Sequence, residues 1–575
     1  MLNKFKNNGA VFGVIFLISF FLVLPQIINH SLVLSGDLLF HLNRIYDTYM
    51  QFKTGHFNYF QTNYGFQQTG RIVNALYGPG FAYGLGLLLI FLHSWIKFEI
   101  ITSFLIFFIS GYSMYFLSRE MKTTKRISVI TAVIFMGSFW IVRWSTQQNF
   151  MTWGVMLMPL VVLIGLKMIK NNAKDLKILP LSLIMSLLIQ IHVLSALMSL
   201  GTIIVFFIVG FFKTDKKGQL IGKCLIAGML TLVLTFNVWG AMLEILTTNN
   251  VYAPFAMTNM SSGTMRFSIF RHSVTQIGLV MSLIFFVQIA YLFSREQQLP
   301  LANKVVTILG SGFLLLSTNI IPWTRVGYMI PGLQNFLQFP FRFYGLATVL
   351  LLAGLGSTIS MITESKRRNN SELLLLVGSV LITGQAYIGI QNGNGIWNTD
   401  NPIVPNTNML LKDSPTGDEI RSAFSNSDLG QGLGVVEKPT SDYLPANKVV
   451  SKNAYDDYRK NILINQVKVT KKVMSNGNLQ LTWQATKENE EIALPIIVYN
   501  KSTVVLNGNR VSPQRMQLSV IGSPIIKATK VGTNTLVLSY HARILTTTRL
   551  IGVLIIWIFY IASIIIICLL NTKKF

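Results

Sequence analysis

The stretch AVFGVIFLISFFLVLPQII, residues 10–28, decides how this chain must fold. It contains no charged residue, and as a helix rising about 1.5 Å per residue it is long enough to cross a hydrocarbon core of roughly 30 Å. Lys4 and Lys6 precede it, and no small-residue cleavage site follows it. We therefore expect an uncleaved first membrane helix with a cytoplasmic N-terminus.

Similar apolar runs recur along the rest of the chain. Of its 575 residues, 51% are hydrophobic and only 12% are charged, against about 25% charged in soluble domains. Because so few charged residues cannot cover a surface that faces water on all sides, we expect lipid to cover much of the surface of this protein. We predict about twelve transmembrane helices, near residues 10–28, 98–118, 127–143, 153–169, 177–191, 194–212, 219–240, 274–294, 303–321, 342–362, 371–390 and 547–570.

The net charge of +26 reflects membrane topology rather than nucleic-acid binding. The basic residues cluster in alternate short loops, which is the pattern of the positive-inside rule. It predicts that both termini are cytoplasmic and that the C-terminal segment before the last helix is extracytoplasmic. The clusters are Arg119 to Arg126, Lys167 to Lys177, Lys213 to Lys223, Arg295 with Lys304, Lys366 to Arg368, and Lys573 with Lys574.

The apolar stretch at residues 77–96 does not fit this alternation. A full crossing there would turn every later basic cluster outward, so we interpret it as a re-entrant or interfacial helix. Its start, Leu76-Tyr77-Gly78-Pro79-Gly80, is typical of a turn. A thirteenth crossing remains the alternative.

These patterns predict a mainly α polytopic membrane protein with a C-terminal extracytoplasmic β-rich domain. We divide it into a transmembrane domain, 1–390, with a first outer loop at 29–97, then an extracytoplasmic domain, 391–545, and a final helix with a basic tail, 546–575. We expect loop in the first half of the extracytoplasmic domain and a small β-sandwich from about residue 462. Predicted strands cover 467–470, 479–483, 496–499 and 536–538, and Asn-Gly pairs at 476–477 and 507–508 predict hairpins.

Acidic residues are scarce outside the C-terminal domain. Twelve of the 22 Asp and Glu residues fall between Asp400 and Glu491. The predicted topology places four of the remaining ones on the outer side, and these are Asp37, Asp47, Glu99 and Glu244. A catalytic carboxylate on the outer membrane surface therefore has few candidates.

Asp37 is the most informative of these four. It follows the first helix in Gly36-Asp37-Leu38-Leu39-Phe40-His41-Leu42-Asn43-Arg44. If a helix begins there, Asp37, His41, Arg44 and Thr48 share one face. An acid beside a histidine and an arginine at a membrane surface suits a general base or a metal site. The structural alternative is that Asp37 caps the helix and pairs with Arg44 or His41.

A second cluster, Leu337-Gln338-Phe339-Pro340-Phe341-Arg342-Phe343, lies at the predicted outer start of an apolar helix. A guanidinium at this depth suits a lipid phosphate, with Gln338 beside it. The alternative is an arginine that reaches the headgroups within an aromatic belt. Arg266 and Arg271, in the outer loop 241–273, are weaker candidates for substrate binding.

Together these motifs resemble known membrane proteins. The Gly36–Arg44 motif resembles the outer-loop acidic motif of the GT-C superfamily of membrane glycosyltransferases. The Leu337–Phe343 segment resembles the QFPWRF-like motif of bacterial YfhO-like membrane proteins, some of which carry the label "6-pyruvoyl-tetrahydropterin synthase-related", which is misleading about their chemistry. Asp442-Tyr443-Leu444-Pro445 and 494–499 also resemble pieces of that group's ectodomain.

The resemblance implies sugar transfer from a polyprenyl-phosphate donor on the outer face of a bacterial cell membrane. It implies Asp37 as the base, and Arg342 as the cation for the donor phosphate. Glu244 alone could serve as the second acidic motif that many members have, and Phe341 replaces the more usual Trp, so a divalent metal remains an open question. The acceptor would be a lipid or an envelope polymer such as a teichoic acid.

Two alternatives remain open. A lipid or polysaccharide transporter or flippase would need charged or broken helices near the bilayer midplane, and the predicted helices hold few ionisable residues. A non-catalytic envelope assembly protein would tolerate Asp37→Asn.

Overall fold

A computed structural model describes residues 2–267, 275–366, 370–405, 407–447, 454–512, 516–542 and 544–572. Its α-helices are α1 Leu2–Asn29, α2 Leu38–Thr54, α3 Pro79–Leu92, α4 Trp95–Glu120, α5 Lys125–Met136, α6 Phe139–Gln147, α7 Met151–Val155, α8 Met158–Ile169, α9 Ile178–Ile191, α10 Val193–Lys213, α11 Lys217–Leu234, α12 Phe236–Leu246, α13 Leu279–Arg295, α14 Leu301–Ser317, α15 Trp323–Met329, α16 Gly332–Phe336, α17 Tyr344–Lys366, α18 Asn370–Gly395, α19 Gly417–Ser425, α20 Gly430–Val435, α21 Tyr455–Tyr458 and α22 Ile544–Thr572. Its strands are β1 Leu410–Leu411, β2 Val436–Glu437, β3 Thr470–Val473, β4 Leu479–Ala485, β5 Glu491–Ala493, β6 Ser502–Leu506, β7 Asn509–Val511, β8 Gln517–Leu518, β9 Pro524–Lys527 and β10 Gly532–Tyr540.

The described residues include ten helical segments that are long and apolar enough to cross a membrane. Two shorter apolar helices, α9 and α14, fall where two further crossings were predicted. The prediction of a mainly α, multi-pass membrane protein is therefore confirmed, whereas the side on which each loop lies stays a prediction. The ten segments are Gly9–Asn29, Trp95–Glu120, Lys125–Gln147, Met151–Ile169, Val193–Lys213, Lys217–Leu234, Leu279–Gln298, Pro340–Glu364, Asn370–Asn398 and Thr548–Ile566.

Contacts divide the chain into two compact units. The first unit comprises Met1–Val33, Glu99–Thr231 and Ala256–Thr399, and the second comprises Leu34–Phe98, Leu232–Phe255 and Asp400–Phe575. The segment predicted as the first outer loop thus falls largely in the same unit as the C-terminal domain. The predicted three-part division remains a prediction.

Small and polar side chains bring the helices of the first unit together, as is common in membranes. A Cβ on Gly165 of α8 would lie 2.3 Å from the ring of Phe206 on α10. A buried network joins α13 to α14, where Gln288 donates to Asn303 at 2.9 Å and to Thr307 at 2.7 Å. These contacts set the helix spacing without using charge.

The stretch predicted to be re-entrant contains the helix α3, which has 14 residues. At about 1.5 Å per residue it is roughly 21 Å long, shorter than a bilayer core. Gly78 precedes it in a left-handed conformation with φ of 65°, and Pro79 occupies its first turn. The predicted turn is present over residues 76–78, whereas Pro79 and Gly80 already belong to the helix. The membrane position of this helix remains a prediction.

The C-terminal part of the second unit has three described antiparallel sheets, ordered β1-β2, β3-β4-β10-β6-β7 and β5-β9-β8, and the two larger ones pack together. Side chains from these two sheets form one core that includes Trp483, Ile492 and Ile526. Alternate burial along β4 and β6 reflects the period-two pattern of a strand with one buried face. The predicted β-rich region from about residue 462 is therefore confirmed.

Both predicted Asn-Gly hairpins are present. Asn507 and Gly508 have φ of 47° and 86°, so both central residues are left-handed, as a type I′ turn requires. At the other hairpin, Gly477 has φ of 77° and donates to Met474 at 2.8 Å. A Cβ on Gly477 would lie 2.1 Å from the carbonyl oxygen of Phe57, so this site requires glycine.

Two details of the β prediction are wrong. Residues 496–499 are buried but pair with no strand, because Ile497 donates to the Thr69 carbonyl and Val498 to the Gly522 carbonyl instead. The strand predicted at 467–470 is β3, which begins at Thr470 rather than at residue 467. The continuous apolar run at 496–499 correctly indicated burial, but burial alone does not create the hydrogen-bond ladder of a strand.

The prediction of loop for 391–461 is also wrong in part. The helix α18 continues to Gly395, and α19, α20 and α21 lie further along. Thr416 caps α19 by accepting from Glu419 N, and the Glu419 carboxylate accepts from Thr416 N. This Thr-x-x-Glu pattern is a capping box and was readable from the sequence.

Candidate active site

The second unit holds the acidic motif at the start of α2. Asp37 takes the N-cap position but makes no capping hydrogen bond with its side chain, and it is exposed to solvent. The helix runs from Leu38 as predicted, so Asp37, His41 and Arg44 do share a face. Their surroundings differ, because His41 is 4% exposed and Arg44 is 1% exposed.

Arg44 is bound by its neighbours in the same unit. Its Nε donates to Asn74 Oδ1 at 3.1 Å, another guanidinium nitrogen donates to the Tyr77 carbonyl, and Nη1 donates to His41 Nδ1 at 3.3 Å. The guanidinium also stacks on the Tyr77 ring. These partners suit positioning roles for His41 and Arg44, and neither of them pairs with Asp37.

The other three acids predicted on the outer side are buried and bonded within the protein. Asp47 accepts from Gln51 Nε2 at 2.7 Å and from the Tyr64 amide at 2.9 Å. Glu99 accepts from the side-chain amides of Gln26 and Gln148 and from Val33 N. Glu244 accepts from Lys501 at 2.5 Å. Of these four carboxylates, only Asp37 is left exposed.

A cation from the C-terminal part of the same unit lies beside this motif. A Cβ on Gly36 would be 3.9 Å from Lys438 Nζ. Lys438 is partly buried, and it makes no hydrogen bond or ion pair within 4 Å with any described residue. Burial lowers the pKa of Lys438, while the charges of Asp37 and Asp442 oppose that shift. A partly buried, unpaired ammonium is a natural site for an anion.

Asp442 is the second carboxyl group of this cluster. Burial raises the pKa of Asp442 to about 6, with the nearby negative charge of Asp37 acting in the same direction and Arg71 and Lys438 opposing it. Tyr455 interacts electrostatically with both carboxylates. We call Asp37, Lys438, Asp442 and Tyr455 the carboxylate cluster.

Arg71 holds the loop that carries Lys438 and Asp442. Its Nη1 donates to the Thr440 carbonyl at 3.1 Å and to Thr440 Oγ1 at 2.8 Å, and its Nη2 donates to the Asp442 carbonyl. The guanidinium is fully buried and stacks on Phe66 and Tyr458. Two chain segments far apart in sequence are thereby joined at the cluster.

The turn at residues 66–68 places the Phe66 ring against the Arg71 guanidinium. Phe66, Gln67 and Gln68 all have left-handed φ values, between 51° and 57°, which is costly for residues other than glycine. Lys471 Nζ donates to the Gln67 carbonyl at 2.7 Å, and Tyr458 Oη donates to Gln67 Oε1 at 2.7 Å. These bonds keep the Phe66 ring under the Arg71 guanidinium.

The remaining predicted residues lie in the first unit. Arg342 Nη1 donates to the Leu337 carbonyl at 3.0 Å, and its Nη2 donates to Gln338 Oε1 at 2.9 Å. Gln338 has φ of 56°, and the Arg342 guanidinium lies 5.4 Å from the centre of the Phe339 ring. Arg342 therefore stabilises the loop between α16 and α17, and its predicted phosphate contact is untested.

Arg266 is exposed, and its backbone pairs with that of Gln276. Arg271 lies outside the described residues. Both stay predictions as substrate-binding residues.

The carboxylate cluster fits a divalent metal poorly. Asp37 and Asp442 could each supply oxygen ligands, but the Lys438 ammonium already places a positive charge near both. Among the described residues, no group of three or more His, Cys, Asp or Glu side chains could hold a metal ion.

Sequence reasoning missed Lys438 and Arg71, and it noted Asp442 only as part of a resemblance. Lys438 and Asp442 lie in a region that looked like loop, and Arg71 lies in the first outer loop. No local signal set Lys438 and Asp442 apart, because this segment holds many other charges, including Glu437 next to Lys438.

Comparisons with known proteins give a weak structural likeness. No protein-family model matches the chain, and no curated protein matches it. Its structure is similar to the crystal structure of the Archaeoglobus fulgidus oligosaccharyltransferase in complex with Zn and sulfate, with a TM-score of 0.36 and 14% sequence identity. The match covers 73% of this chain and 58% of the archaeal protein, so it spans little more than half the length of that protein. At this TM-score the likeness assigns neither an activity nor a site.

Proposed function

We propose that this chain is a membrane glycosyltransferase that uses a polyprenyl-phosphate-linked sugar. The acceptor would be a glycopolymer or a lipid of the cell envelope, at the outer membrane surface. The observation that carries the proposal is the exposed Asp37 carboxylate, which lies near the unpaired Lys438 ammonium at the start of α2. The three other acids predicted on the outer side are bonded internally.

In the proposed reaction Asp37 accepts the proton of the acceptor hydroxyl as its oxygen attacks the anomeric carbon. The bond from that carbon to the phosphate oxygen breaks, and polyprenyl phosphate leaves with the bonding electron pair. The anomeric configuration inverts in one displacement. A cation placed beforehand at the phosphate stabilises the charge that develops on the leaving group.

Two cations are candidates for that contact. Lys438 lies in the same unit as Asp37 and has no partner within 4 Å among the described residues. Arg342, the cation that the sequence favoured, already donates to a carbonyl and to Gln338. We therefore place Lys438 first and keep Arg342 as the second candidate, with His41 and Arg44 as positioning residues.

The test compares Asp37→Asn with Asp413→Asn, which removes an exposed charge from the same unit outside the cluster. In a deletion strain complemented with each variant, envelope glycans are measured by mass spectrometry, and membrane content by immunoblot. Because a general base contributes about 10²–10⁴-fold, Asp37→Asn should abolish the modification while Asp413→Asn preserves it. Normal glycans with Asp37→Asn protein would refute the assignment.

Lys438→Gln separates phosphate binding from proton transfer. With an extracted polyprenyl-phosphate sugar as donor and membranes as enzyme source, it should raise the KM for the donor more than it lowers kcat. An unchanged donor KM, with Arg342→Gln raising it instead, would move the phosphate contact to Arg342.

A further inference from the structure

A cavity of about 450 Å³ opens at the ends of α8 and α10, among the described residues of the first unit. Met168 and Ile169 form part of an apolar wall, and Lys174 and Lys213 bring ammonium groups to the same space. This volume lies within the range of pockets that hold small ligands, roughly 300–1,000 Å³. An apolar wall beside two ammonium groups is the lining expected for the headgroup of an amphiphile.

The helices α8 and α10 approach each other closely at two residues that also line the cavity. At Gly210 of α10 a Cβ would lie 2.6 Å from the Met168 carbonyl oxygen of α8. Beyond this contact α8 ends, and the chain turns away through Asn171, Asn172 and Ala173, with φ of 47°, 52° and 57°. Three consecutive left-handed residues without glycine need outside support.

Lys223 of α11 supplies that support. Its Nζ donates to the carbonyl of Ala173 at 2.9 Å and to that of Lys174 at 3.2 Å. The turn is therefore held in a conformation that leaves the space open beside Lys174.

Two lysines and one aspartate line the cavity, so the charged groups of its lining sum to a net positive charge. Lys174 and Lys213 make no side-chain hydrogen bond or ion pair with any described residue, and both are exposed. Asp175 accepts from the Asn171 amide at 2.6 Å, and the nearby Asp215 accepts from Asn172 at 3.3 Å. A lysine in the last turn of α10 also stabilises the helix dipole, which accounts for Lys213 but not for Lys174 or for the cavity.

We propose that this cavity binds the phosphate group of an anionic phospholipid headgroup. Phe212 and Ile208 of α10, the helix whose C-terminal end lines the cavity, are 78% and 47% exposed, so this helix offers apolar surface to acyl chains. The cavity lies among the basic loops predicted to be cytoplasmic, where basic pockets between membrane helices attract anionic lipid. A soluble phosphate compound has the same anionic chemistry. This site is independent of the proposed sugar transfer.

The test uses the full-length protein in detergent and native mass spectrometry. Phosphatidylglycerol, phosphatidylcholine and inorganic phosphate are titrated separately against the native chain, Lys174→Gln/Lys213→Gln, and the control Lys216→Gln/Lys217→Gln. The control removes the same charge at the start of α11 and just before it, outside the cavity lining. Each lysine near a lipid phosphate is worth about fivefold in affinity, so we expect the cavity variant to bind phosphatidylglycerol roughly 25-fold more weakly.

The control should retain native affinity, and phosphatidylcholine should bind weakly to all three proteins. A different outcome would be binding of millimolar inorganic phosphate that depends on the two cavity lysines, without a preference for phosphatidylglycerol. That outcome would overturn the proposal of a lipid ligand and indicate a soluble phosphate compound. Equal phosphatidylglycerol binding by the native chain and the cavity variant would overturn the site itself. Comparable melting temperatures of the two double variants would exclude unfolding as the cause.

Discussion

At the residue scale, the carboxylate cluster holds two charged groups, Asp442 and Lys438, whose partial burial destabilises the folded protein. Asp442 is partly buried, and its pKa is raised to about 6 despite the nearby Arg71 and Lys438. Lys438 is kept without a direct partner among the described residues. A structural role would favour pairing these charges, whereas a binding site needs them unpaired before the ligand arrives.

Asp442→Asn should therefore stabilise the protein at high pH. The folded-state pKa of Asp442 is raised above its usual value, so the folded protein binds this proton more readily than the unfolded chain. Stability from this group is present at low pH and is lost as pH rises through about 6. We expect a higher melting temperature for Asp442→Asn than for the native chain near pH 8, with a smaller gain near pH 5.

The measurement is thermal unfolding in detergent at both pH values. Asp413→Asn, an exposed acid in the same unit, serves as the control and should show no pH-dependent gain. A variant that is less stable near pH 8 would mean that the Asp442 charge is satisfied in the fold.

At the element scale, polar side chains connect α12 to the β-rich part of the second unit. Glu244 of α12 is 3% exposed at its side chain and pairs with Lys501, just before β6, at 2.5 Å. The adjacent Asn500 amide donates to Asn249 Oδ1 at 2.8 Å, and its side chain donates to the Thr248 carbonyl. Neither helix nor strand propensity specifies this junction, which depends on a buried acid meeting a lysine far along the chain.

Lys501→Met should destabilise the protein more than the double variant Glu244→Gln/Lys501→Met. Removing the lysine leaves the buried Glu244 carboxylate without its partner. Since Lys501 is 27% exposed, we expect the free energy of unfolding to fall by about 1–3 kcal/mol. The double variant removes that charge and should recover part of the loss. Thermal unfolding in detergent gives the comparison.

The pair between Lys527 and Glu491, at 3.5 Å with both side chains more than half exposed, is the matched control. Lys527→Met should cost less than about 0.5 kcal/mol. Equal losses of stability in Lys501→Met and Lys527→Met would show that the buried pair at the α12 junction stabilises the protein no more than an exposed pair does.

At the scale of the whole molecule, the predicted orientation rests on charge alone. Basic loops alternate with loops poor in lysine, and ten segments of the described chain are suited to crossing a membrane. The β-rich region is predicted to be extracytoplasmic and the loop after α10 cytoplasmic. The proposed reaction at the outer surface requires this orientation.

Cysteine labelling tests the orientation with two matched substitutions. In a background with Cys224→Ser and Cys568→Ser, Lys487→Cys in the β-rich region should react with a membrane-impermeant maleimide in intact cells. Lys216→Cys should react only after the membrane is permeabilised. Both native lysines are exposed, so accessibility of the side chain does not distinguish them. The reverse labelling pattern would invert the topology and remove the outer-surface reaction.

The sequence by itself determined the membrane class, most helix positions, the β-rich region and its two hairpins. These features depend on local hydropathy, on charge between apolar runs and on short turn signals such as Asn507-Gly508, all of which are properties of neighbouring residues. The mistaken strand at 496–499 marks the limit of local patterns, because burial there is satisfied by contacts with Thr69 and Gly522.

Only the tertiary structure decided which charged groups meet. It placed Lys438 beside Gly36 and joined Arg71 to Thr440 and Asp442, pairs separated by hundreds of residues. It also showed that Arg44 is bonded inside the protein, which the helical spacing could not reveal. Spacing along one helix identifies the residues of a face, whereas the partners of that face come from distant segments whose pairing depends on the packing of the whole unit.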